Sequence, residues 1–150
     1  MAGDVDALTA LESEARAALV DARGGARWLE EHPAIGGGWA IGGGWAIGGG
    51  WLGAVQDRHV FVAVLDASVV VGYLVLDLVG DIATVDHVFV TPDARDLGFG
   101  DALLGAAADR GRQLGARLIE GQALPGDRNT KNLYERAKIT ARLITVSRPL

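Results

Sequence analysis

The chain has 150 residues, 49% of them apolar, which fits one domain with one buried core and excludes a disordered or fibrous protein. Its 14 Lys and Arg against 19 Asp and Glu give a net charge of -5, which disfavours nucleic acid and anionic lipid as partners and suits a cationic ligand. The absence of cysteine excludes disulfides, thiolate metal sites and a cysteine acyl-enzyme intermediate.

The apolar segments indicate neither export nor a membrane span. The first residues lack the basic start and apolar run of a secretion signal. The longest apolar stretch, near Ala67 to Leu76, is too short to cross a bilayer. We therefore expect a cytoplasmic protein without membrane contact.

The first segment of the chain predicts two helices. Apolar residues keep helical spacing from Val5 to about Arg23, which predicts an amphipathic helix that Gly24 and Gly25 end. A short second helix is predicted from Ala26 to Glu31, and it stops before Pro33 because proline disfavours helical geometry in the preceding residue.

An unchanged internal repeat comes next. The sequence Ala-Ile-Gly-Gly-Gly-Trp occurs at 34–39, 40–45 and 46–51. Ordering so many glycines costs backbone entropy, so the repeat is expected to form a mobile loop or a loose hairpin outside the core. Two interpretations stay open: a tolerated loop duplication, or a lid whose Trp39, Trp45 and Trp51 close over an acceptor.

The rest of the chain alternates strand-like and helix-like segments. The predicted elements are strands at His59 to Leu65, Ser68 to Val79 and Asp81 to Val90, a helix at Gly100 to Leu114, a strand at Arg117 to Gln122, a helix at Asp127 to Lys138 and a strand at Ile139 to Val146. This order predicts a mixed α/β fold, in which helices flank a central, mostly antiparallel twisted sheet.

A strand, a glycine-containing turn and a helix follow one another between Val88 and Leu103. Gly98 and Gly100 remove side chains that would block an anion, the helix N-terminus offers free N–H groups, and Arg95 adds a cation. A dinucleotide-binding fold is disfavoured because Leu103 stands at the third glycine position of its fingerprint. A P-loop is excluded because no Gly-Lys-Ser or Gly-Lys-Thr closes the turn.

These residues resemble the GNAT superfamily of acetyl-coenzyme A-dependent N-acetyltransferases. The similarity rests on Arg95-x-x-Gly98-x-Gly100, preceded by Val90-x-Pro92 and followed at the family's distance by Asn132 to Arg136. It implies that acetyl-CoA is the cosubstrate, that no metal takes part and that a small-molecule or peptide amine is the acceptor. The residues implied to bind acetyl-CoA are Val88, Phe89, Val90, Arg95, Asp96, Leu97, Gly98, Phe99, Gly100, Asp101, Ala102, Lys131, Asn132 and Tyr134.

The resemblance also implies the catalytic residues. By the two-residue period Thr84, Asp86, Val88 and Val90 are expected on one face of the third strand, and the family base usually comes from positions matching Thr84 or Asp86. Threonine is no base at neutral pH, so Asp86 is the predicted base, directly or through water. His87, expected on the opposite face, and water remain alternatives, and Tyr134 is the predicted proton donor to the coenzyme A thiolate.

Two features depart from the family pattern. GNAT domains usually open with a β-strand, whereas this chain begins with a helical segment, so the expectation is either a sheet without its first strand or a true start that lies upstream. Lys138 and Ile139 replace the usual glycine and aromatic residue, and Asp127 stands where asparagine is frequent. A non-catalytic acyl-CoA sensor or interaction module on the same fold is therefore the alternative function, and a homodimer is the expected assembly.

Overall fold

The computed structural model describes residues 2–36 and 50–148. Its elements are, in chain order, α1 (Ala2–Leu19), α2 (Gly25–Glu31), α3 (Gly50–Asp57), β1 (His59–Leu65), β2 (Val69–Val79), β3 (Ile82–Val90), a short 3₁₀ helix (Pro92–Leu97), α4 (Phe99–Gln113), β4 (Leu118–Gly121) and α5 (Arg128–Arg136). None of the described helices is long and apolar enough to cross a membrane.

The four strands form one sheet in the order β1-β2-β3-β4. β1 with β2 and β2 with β3 are antiparallel, whereas α4 returns the chain so that β4 joins β3 in parallel. The predicted mixed fold, a mostly antiparallel sheet flanked by helices, is confirmed.

Each face of the sheet carries its own core. The α4 core lies under α4 and consists of Ala63, Val71, Leu74, Leu76, Ala83, Val85, Val90, Ala94, Leu103, Leu104, Ala107, Leu133 and Tyr134. The α1 core lies under α1 and α3 and consists of Leu8, Leu11, Trp51, Ala54, Tyr73 and Val75. The sheet is therefore apolar on both faces where the helices cover it.

The helix α3 corrects the prediction for the repeat. Gly50 and Trp51, its last two residues, begin α3 rather than belonging to a loop, and the Trp51 side chain is 1% exposed. Trp51 is thus core, contrary to the expected exposed lid residue. Trp39 and Trp45, the other two tryptophans of the proposed lid, lie outside the described residues.

The buried carboxylate of Glu12 joins the two ends of the repeat. It accepts hydrogen bonds from the backbone N–H of Ile35 at 2.6 Å, the backbone N–H of Gly36 at 2.8 Å and the indole N–H of Trp51 at 3.1 Å. These three neutral donors satisfy a side chain that is 3% exposed. Burying a carboxylate is costly without such partners, so this junction is well defined.

The predicted strand at Ile139 to Val146 is wrong. After α5 the chain turns at Lys138, whose φ is 64°, and residues 140–148 form neither helix nor strand. Leu143 and Val146 are each 86% exposed. An alternating apolar pattern makes a segment competent to form a strand, but the strand also needs a neighbouring edge to pair with.

Candidate active site

A β-bulge in β3 lies at the centre of the site. His87 pairs with Val75 of β2, while Leu76, the next residue of β2, pairs with Val85. Asp86 is therefore the extra residue, and two residues of β3 oppose one residue of β2. Bulges of this kind redirect side chains and interrupt the alternation of a strand.

The bulge corrects the prediction of which side chains share a face. Before the bulge, Ala83 and Val85 of β3 belong to the α4 core. After the bulge, Val90 belongs to this core and Val88 packs against it. The expected common face of Thr84, Asp86, Val88 and Val90 is therefore wrong, because the period of two is broken between Val85 and Val88.

Asp86 and His87 instead lie together on the α1 side of the sheet. The His87 ring contacts Tyr73 of the α1 core, and Asp86 is joined through Arg58 to Asp77, which pairs with Thr84. The prediction that His87 points away from the face of Asp86 is wrong for the same reason.

Arg58 is the cation of the site. It lies between α3 and β1, and its guanidinium Nε donates to Asp77 Oδ1 at 2.7 Å, while Nη2 contacts Asp77 Oδ2 and donates to Asp86 Oδ2 at 2.7 Å. Burial lowers the pKa of Arg58, but the hydrogen bonds with Asp77 and Asp86 outweigh it and raise that pKa above its ordinary value. The guanidinium is thus always charged.

A row of aromatic rings runs from the α1 core to the surface. The Tyr73 hydroxyl is 2.7 Å from His87 Nδ1, the His87 ring centroid is 5.7 Å from that of Trp28, and Trp28 stacks on His32 at 4.3 Å. Burial, which outweighs the attraction of Asp86, lowers the pKa of His87 to about 4. Burial likewise raises the pKa of Tyr73, so at neutral pH a protonated phenol donates to a neutral imidazole.

Beside the bulge β3 and β4 separate, and this point is called the fork. β4 pairs with β3 only from Ile82 to Val85, and the last pair joins Val85 to Gly121. Within the described residues no strand covers this edge of β3 from Asp86 onward. The backbone of residues 86–90 therefore presents an open edge that an extended ligand is able to extend as an added strand.

The Tyr134 hydroxyl lies at this fork, against the end of β4. A Cβ atom on Gly121 would lie 2.3 Å from the hydroxyl oxygen, so only glycine leaves room for the phenol there. Burial, followed by the charges of Asp127 and Asp86, raises the pKa of Tyr134 above its ordinary value. The hydroxyl therefore keeps its proton at neutral pH.

Asp127 is a site residue that the sequence analysis did not select. It caps α5, where its carboxylate accepts from the Thr130 backbone N–H at 3.1 Å and from the Thr130 hydroxyl at 2.6 Å. Its charge raises the pKa of Tyr134 and opposes the lowering at His87. The spacing of seven residues between Asp127 and Tyr134, two turns along one helix face, was the available signal.

The turn between β3 and α4 has the predicted form. The 3₁₀ helix Pro92–Leu97 ends at Gly98, whose φ of 85° favours glycine, and space around a Cβ at that position is open. The first turn of α4 has backbone N–H groups at residues 99–101 without intrahelical acceptors. Arg95 Nε donates to the Val90 carbonyl at 3.0 Å, which places its cation beside this turn.

Other predicted ligands of acetyl-CoA take different positions around this turn. A Cβ on Gly100 would lie 3.1 Å from Leu133 Cδ1, so this glycine permits close packing of α4 on α5 rather than clearing space for an anion. Asp101 pairs with Arg136 at 3.1 Å. Asp96, Leu97, Ala102, Lys131 and Asn132 are exposed, and Phe99 is partly buried against the α4 core.

A cleft of about 410 Å³ lies away from the fork between β3 and β4. It is lined by the β1–β2 turn, the 3₁₀ helix and Glu14, and neither Asp86 nor Tyr134 reaches it. The charged and titratable groups instead converge at the fork, which is therefore the better candidate for chemistry. Among residues 2–36 and 50–148 no group of three or more acidic, histidine or cysteine side chains has the arrangement of a metal site.

The acetyltransferase (GNAT) family profile matches residues 27–138. The chain belongs to the GNAT family of acetyltransferases. The match includes the bulge, the turn before α4, the fork and α5, and it confirms the resemblance found in the sequence. No curated protein sequence is significantly similar to this GNAT chain.

Solved structures share the fold. The tetramutant of BH1408 protein from Bacillus halodurans has a TM-score of 0.74 at 16% identity, over 99% of this chain and 95% of that one. AAC(6')-Iy in complex with the bisubstrate analog CoA-S-monomethyl-acetylneamine has a TM-score of 0.52 at 20% identity, over 65% and 74%. The aminoglycoside acetyltransferase meta-AAC0020 from an uncultured soil metagenomic sample, in complex with sisomicin, has a TM-score of 0.57 at 21% identity, over 67% and 71%.

Proposed function

We propose that this GNAT protein transfers the acetyl group of acetyl-CoA directly to a primary amine at the fork between β3 and β4. The observation that carries the proposal is the open edge of β3 that begins at Asp86, near enough to the protonated Tyr134 hydroxyl for the charge of Asp86 to help raise its pKa. The structural neighbours that bind a coenzyme A analogue or sisomicin support this chemistry.

In this proposal the extended arm of acetyl-CoA adds to the open edge of β3. The backbone of Val88, Phe89 and Val90 pairs with the pantetheine amides, as a peptide adds to a sheet edge. The N–H groups of residues 99–101, with Arg95, hold the pyrophosphate at the positive end of α4, whereas the predicted contribution of the Ala102 N–H is ruled out because it donates to the Gly98 carbonyl. The exposed side chains of Lys131 and Asn132 lie on α5, where they are available to the coenzyme.

The transfer needs no acyl-enzyme. Asp86 takes a proton from the acceptor ammonium, directly or through water, and the neutral amine attacks the thioester carbon. The Val88 N–H stabilises the tetrahedral oxyanion. The C–S bond then breaks as Tyr134 protonates the departing thiolate, and the proton lost from nitrogen passes through water to the Tyr134 phenolate as the amide forms. Asp86 releases its proton to solvent, which restores both residues.

His87 is a weaker candidate for the base. With a pKa of about 4 it is neutral at pH 7 and able to accept a proton, but its Nδ1 already faces the Tyr73 hydroxyl. Asp86 has one carboxylate oxygen, Oδ1, that forms no hydrogen bond within the described part of the chain. We therefore assign the proton transfer to Asp86.

We also propose a cytoplasmic homodimer. Acetyl-CoA and an amine acceptor meet there without export, and the outer edges of β1 and β4, which pair with no other strand in the described part of the chain, are surfaces that a second copy is able to cover. Sedimentation equilibrium tests the assembly: a mass near 15.6 kDa at all concentrations would contradict it.

Calorimetry and a transfer assay test the function together. Acetyl-CoA and coenzyme A should bind, NAD should not, and thiol release should depend on one of a panel of sisomicin, spermidine, tryptamine and a short peptide with a free N-terminus. Binding of acetyl-CoA without transfer to any amine would favour a non-catalytic acyl-CoA sensor. No binding of acetyl-CoA would contradict both functions.

A further inference from the structure

The Arg58 guanidinium holds two carboxylates at once. Its side chain is 14% exposed, against 35% for Asp77 and 36% for Asp86. Asp77 is held by two nitrogens, whereas Asp86 is held by Nη2 at Oδ2 only, 2.7 Å away. One guanidinium thus serves as the fixed point for a carboxylate whose second oxygen points free of protein donors among the described residues.

Asp86 depends on this contact for its orientation. It is the extra residue of the bulge, so the regular ladder that fixes its neighbours does not fix it. No other hydrogen bond or ion pair holds its carboxylate within the described ranges. A partly exposed side chain at such a place samples several rotamers unless a charged partner selects one.

Arg58 also separates the two carboxylates. Asp77 and Asp86 each carry a negative charge, and the positive charge of Arg58 lies between them. Without Arg58 the two carboxylates would repel each other, and the bulge would lose the contact that closes it on β2. The pairing of both carboxylates with one partly buried guanidinium therefore fixes their geometry.

The geometry points to Arg58 as a positioning residue: we propose that it orients Asp86 so that Oδ1 faces the acceptor amine. The inference rests on the proposed acetyl transfer and goes beyond it, because it assigns the orientation of the Asp86 carboxylate to a residue outside β3. Arg58 itself touches neither acetyl-CoA nor the amine in this role.

A double-mutant cycle tests the role in the complete chain. Arg58→Gln, Asp86→Asn and the double variant are compared with wild type on the panel amine that wild type acetylates fastest. A small misplacement of a reacting group lowers the reaction rate strongly. Arg58→Gln should therefore lower kcat/KM for the amine about ten-fold or more, while KM for acetyl-CoA stays within about two-fold of wild type. The double variant should be no slower than Asp86→Asn alone, within about two-fold.

Two further variants separate positioning from general stability. Arg58→Lys keeps a cation within reach of Asp86 and should recover part of the lost kcat/KM. Asp77→Asn removes the other partner of the same guanidinium and should lower the melting temperature while leaving kcat/KM for the amine within about two-fold of wild type. All rates are normalised to the folded fraction.

The outcomes are distinct. If the effects of Arg58→Gln and Asp86→Asn multiply, or if Asp77→Asn lowers kcat/KM as much as Arg58→Gln, the positioning role is overturned while acetyl transfer stands. If wild type acetylates no amine in the panel, the proposed function fails and the positioning role fails with it.

Discussion

The two ends of α3 hold carboxylates in opposite ways. At its start, Trp51 and two backbone N–H groups surround Glu12, which is 3% exposed and forms no ion pair among the described residues. At its end, Arg58 pairs with Asp86, which is 36% exposed and keeps one oxygen unbonded to the described protein. One helix of eight residues thus connects a structural junction, Glu12 with its donors, with a chemical junction, Asp86 with Arg58.

The two carboxylates differ in their remaining capacity to accept hydrogen bonds from a ligand. Glu12 is saturated by neutral donors, so its removal leaves buried N–H groups without acceptors and lowers the free energy of unfolding. Asp86 is held by a charge near solvent, where an ion pair contributes little to stability, and it retains capacity for a ligand. We expect stability to depend on the first junction and activity on the second.

The largest stability effect is expected for Glu12→Ala. The variant leaves the N–H groups of Ile35, Gly36 and Trp51 without their acceptor, which should cost about 3 kcal/mol of unfolding free energy. Chemical denaturation measures the loss. Glu14→Ala, two residues along the same helix at an exposed position, is the control and should change stability by less than about 0.5 kcal/mol. Equal losses in the two variants would contradict the junction.

An activity effect without a matching loss of stability is expected for Gly121→Ala. The added methyl group occupies the place of the Tyr134 hydroxyl, so the phenol must move away from the fork. We expect kcat to fall about ten-fold, as for loss of a proton donor, while acetyl-CoA still binds.

Tyr134→Phe supplies the matched background for this test. If Gly121 acts by placing the hydroxyl, then Gly121→Ala should change kcat little once the hydroxyl is absent. Single-turnover rates of the four proteins measure this. A ten-fold loss in the Phe background would show that Gly121 acts through the fold of β4 and not through Tyr134.

A pH-dependent effect is expected from His87, which connects the two junctions through Tyr73 and Trp51. Its pKa is about 4 in the folded protein, below the ordinary 6.5, so the unfolded chain binds more protons between these values. Stability should therefore fall as pH decreases from 6.5 toward 4. Between pH 7 and pH 5, wild type should lose about 1 kcal/mol more than His87→Gln, allowing for the partial exposure of the ring.

Denaturation at the two pH values measures this difference. His59→Gln is the comparison, since it removes a histidine at the start of β1 outside the row of aromatic rings. Parallel pH dependence of wild type and His87→Gln would mean that the neutral imidazole contributes nothing to acid sensitivity.

The sequence predicted the elements whose residue pattern is local. Val-rich runs located β1 to β3, and Gly98 located the turn before α4, where the observed φ favours glycine. The bulge was not predicted from a strict period of two. The sequence does carry a signal, since Asp86 and His87 are two consecutive polar residues between Val85 and Val88, but the extra residue is identified only when β2 fixes the pairing. The role of Gly121 likewise depends on Tyr134, thirteen residues later, folding back onto β4.

The repeat concealed α3 for a different reason. Gly50 and Trp51 are identical in sequence to the last residues of the other two copies. This copy is followed by residues 52–57, which continue α3 and carry Trp51 into the α1 core, whereas each of the others is followed in the sequence by a further copy. Propensity gives identical hexamers identical predictions, and the contact of Trp51 with Glu12 is a tertiary contact that the hexamer alone does not predict.

The smallest effect is expected from removing two copies of the repeat. Deleting residues 37–48 joins Gly36 to Gly49 and leaves one Ala-Ile-Gly-Gly-Gly-Trp unit that still contains all three donors to Glu12. The two sides of the junction are already adjacent, since a Cβ on Gly50 would lie 3.8 Å from Gly36 Cα. One intervening glycine is enough to connect them.

Stability should change by less than about 1 kcal/mol, because loop-closure entropy varies slowly with loop length. Denaturation and the transfer assay on the shortened chain measure both consequences. Unchanged stability with unchanged kcat/KM assigns the holding role to Glu12 and identifies the extra copies as a tolerated duplication. Unchanged stability with a reduced kcat/KM for the amine would instead support the lid. In that case the Glu12 junction would be intact, while the acceptor site would have lost residues of the repeat that contribute to catalysis.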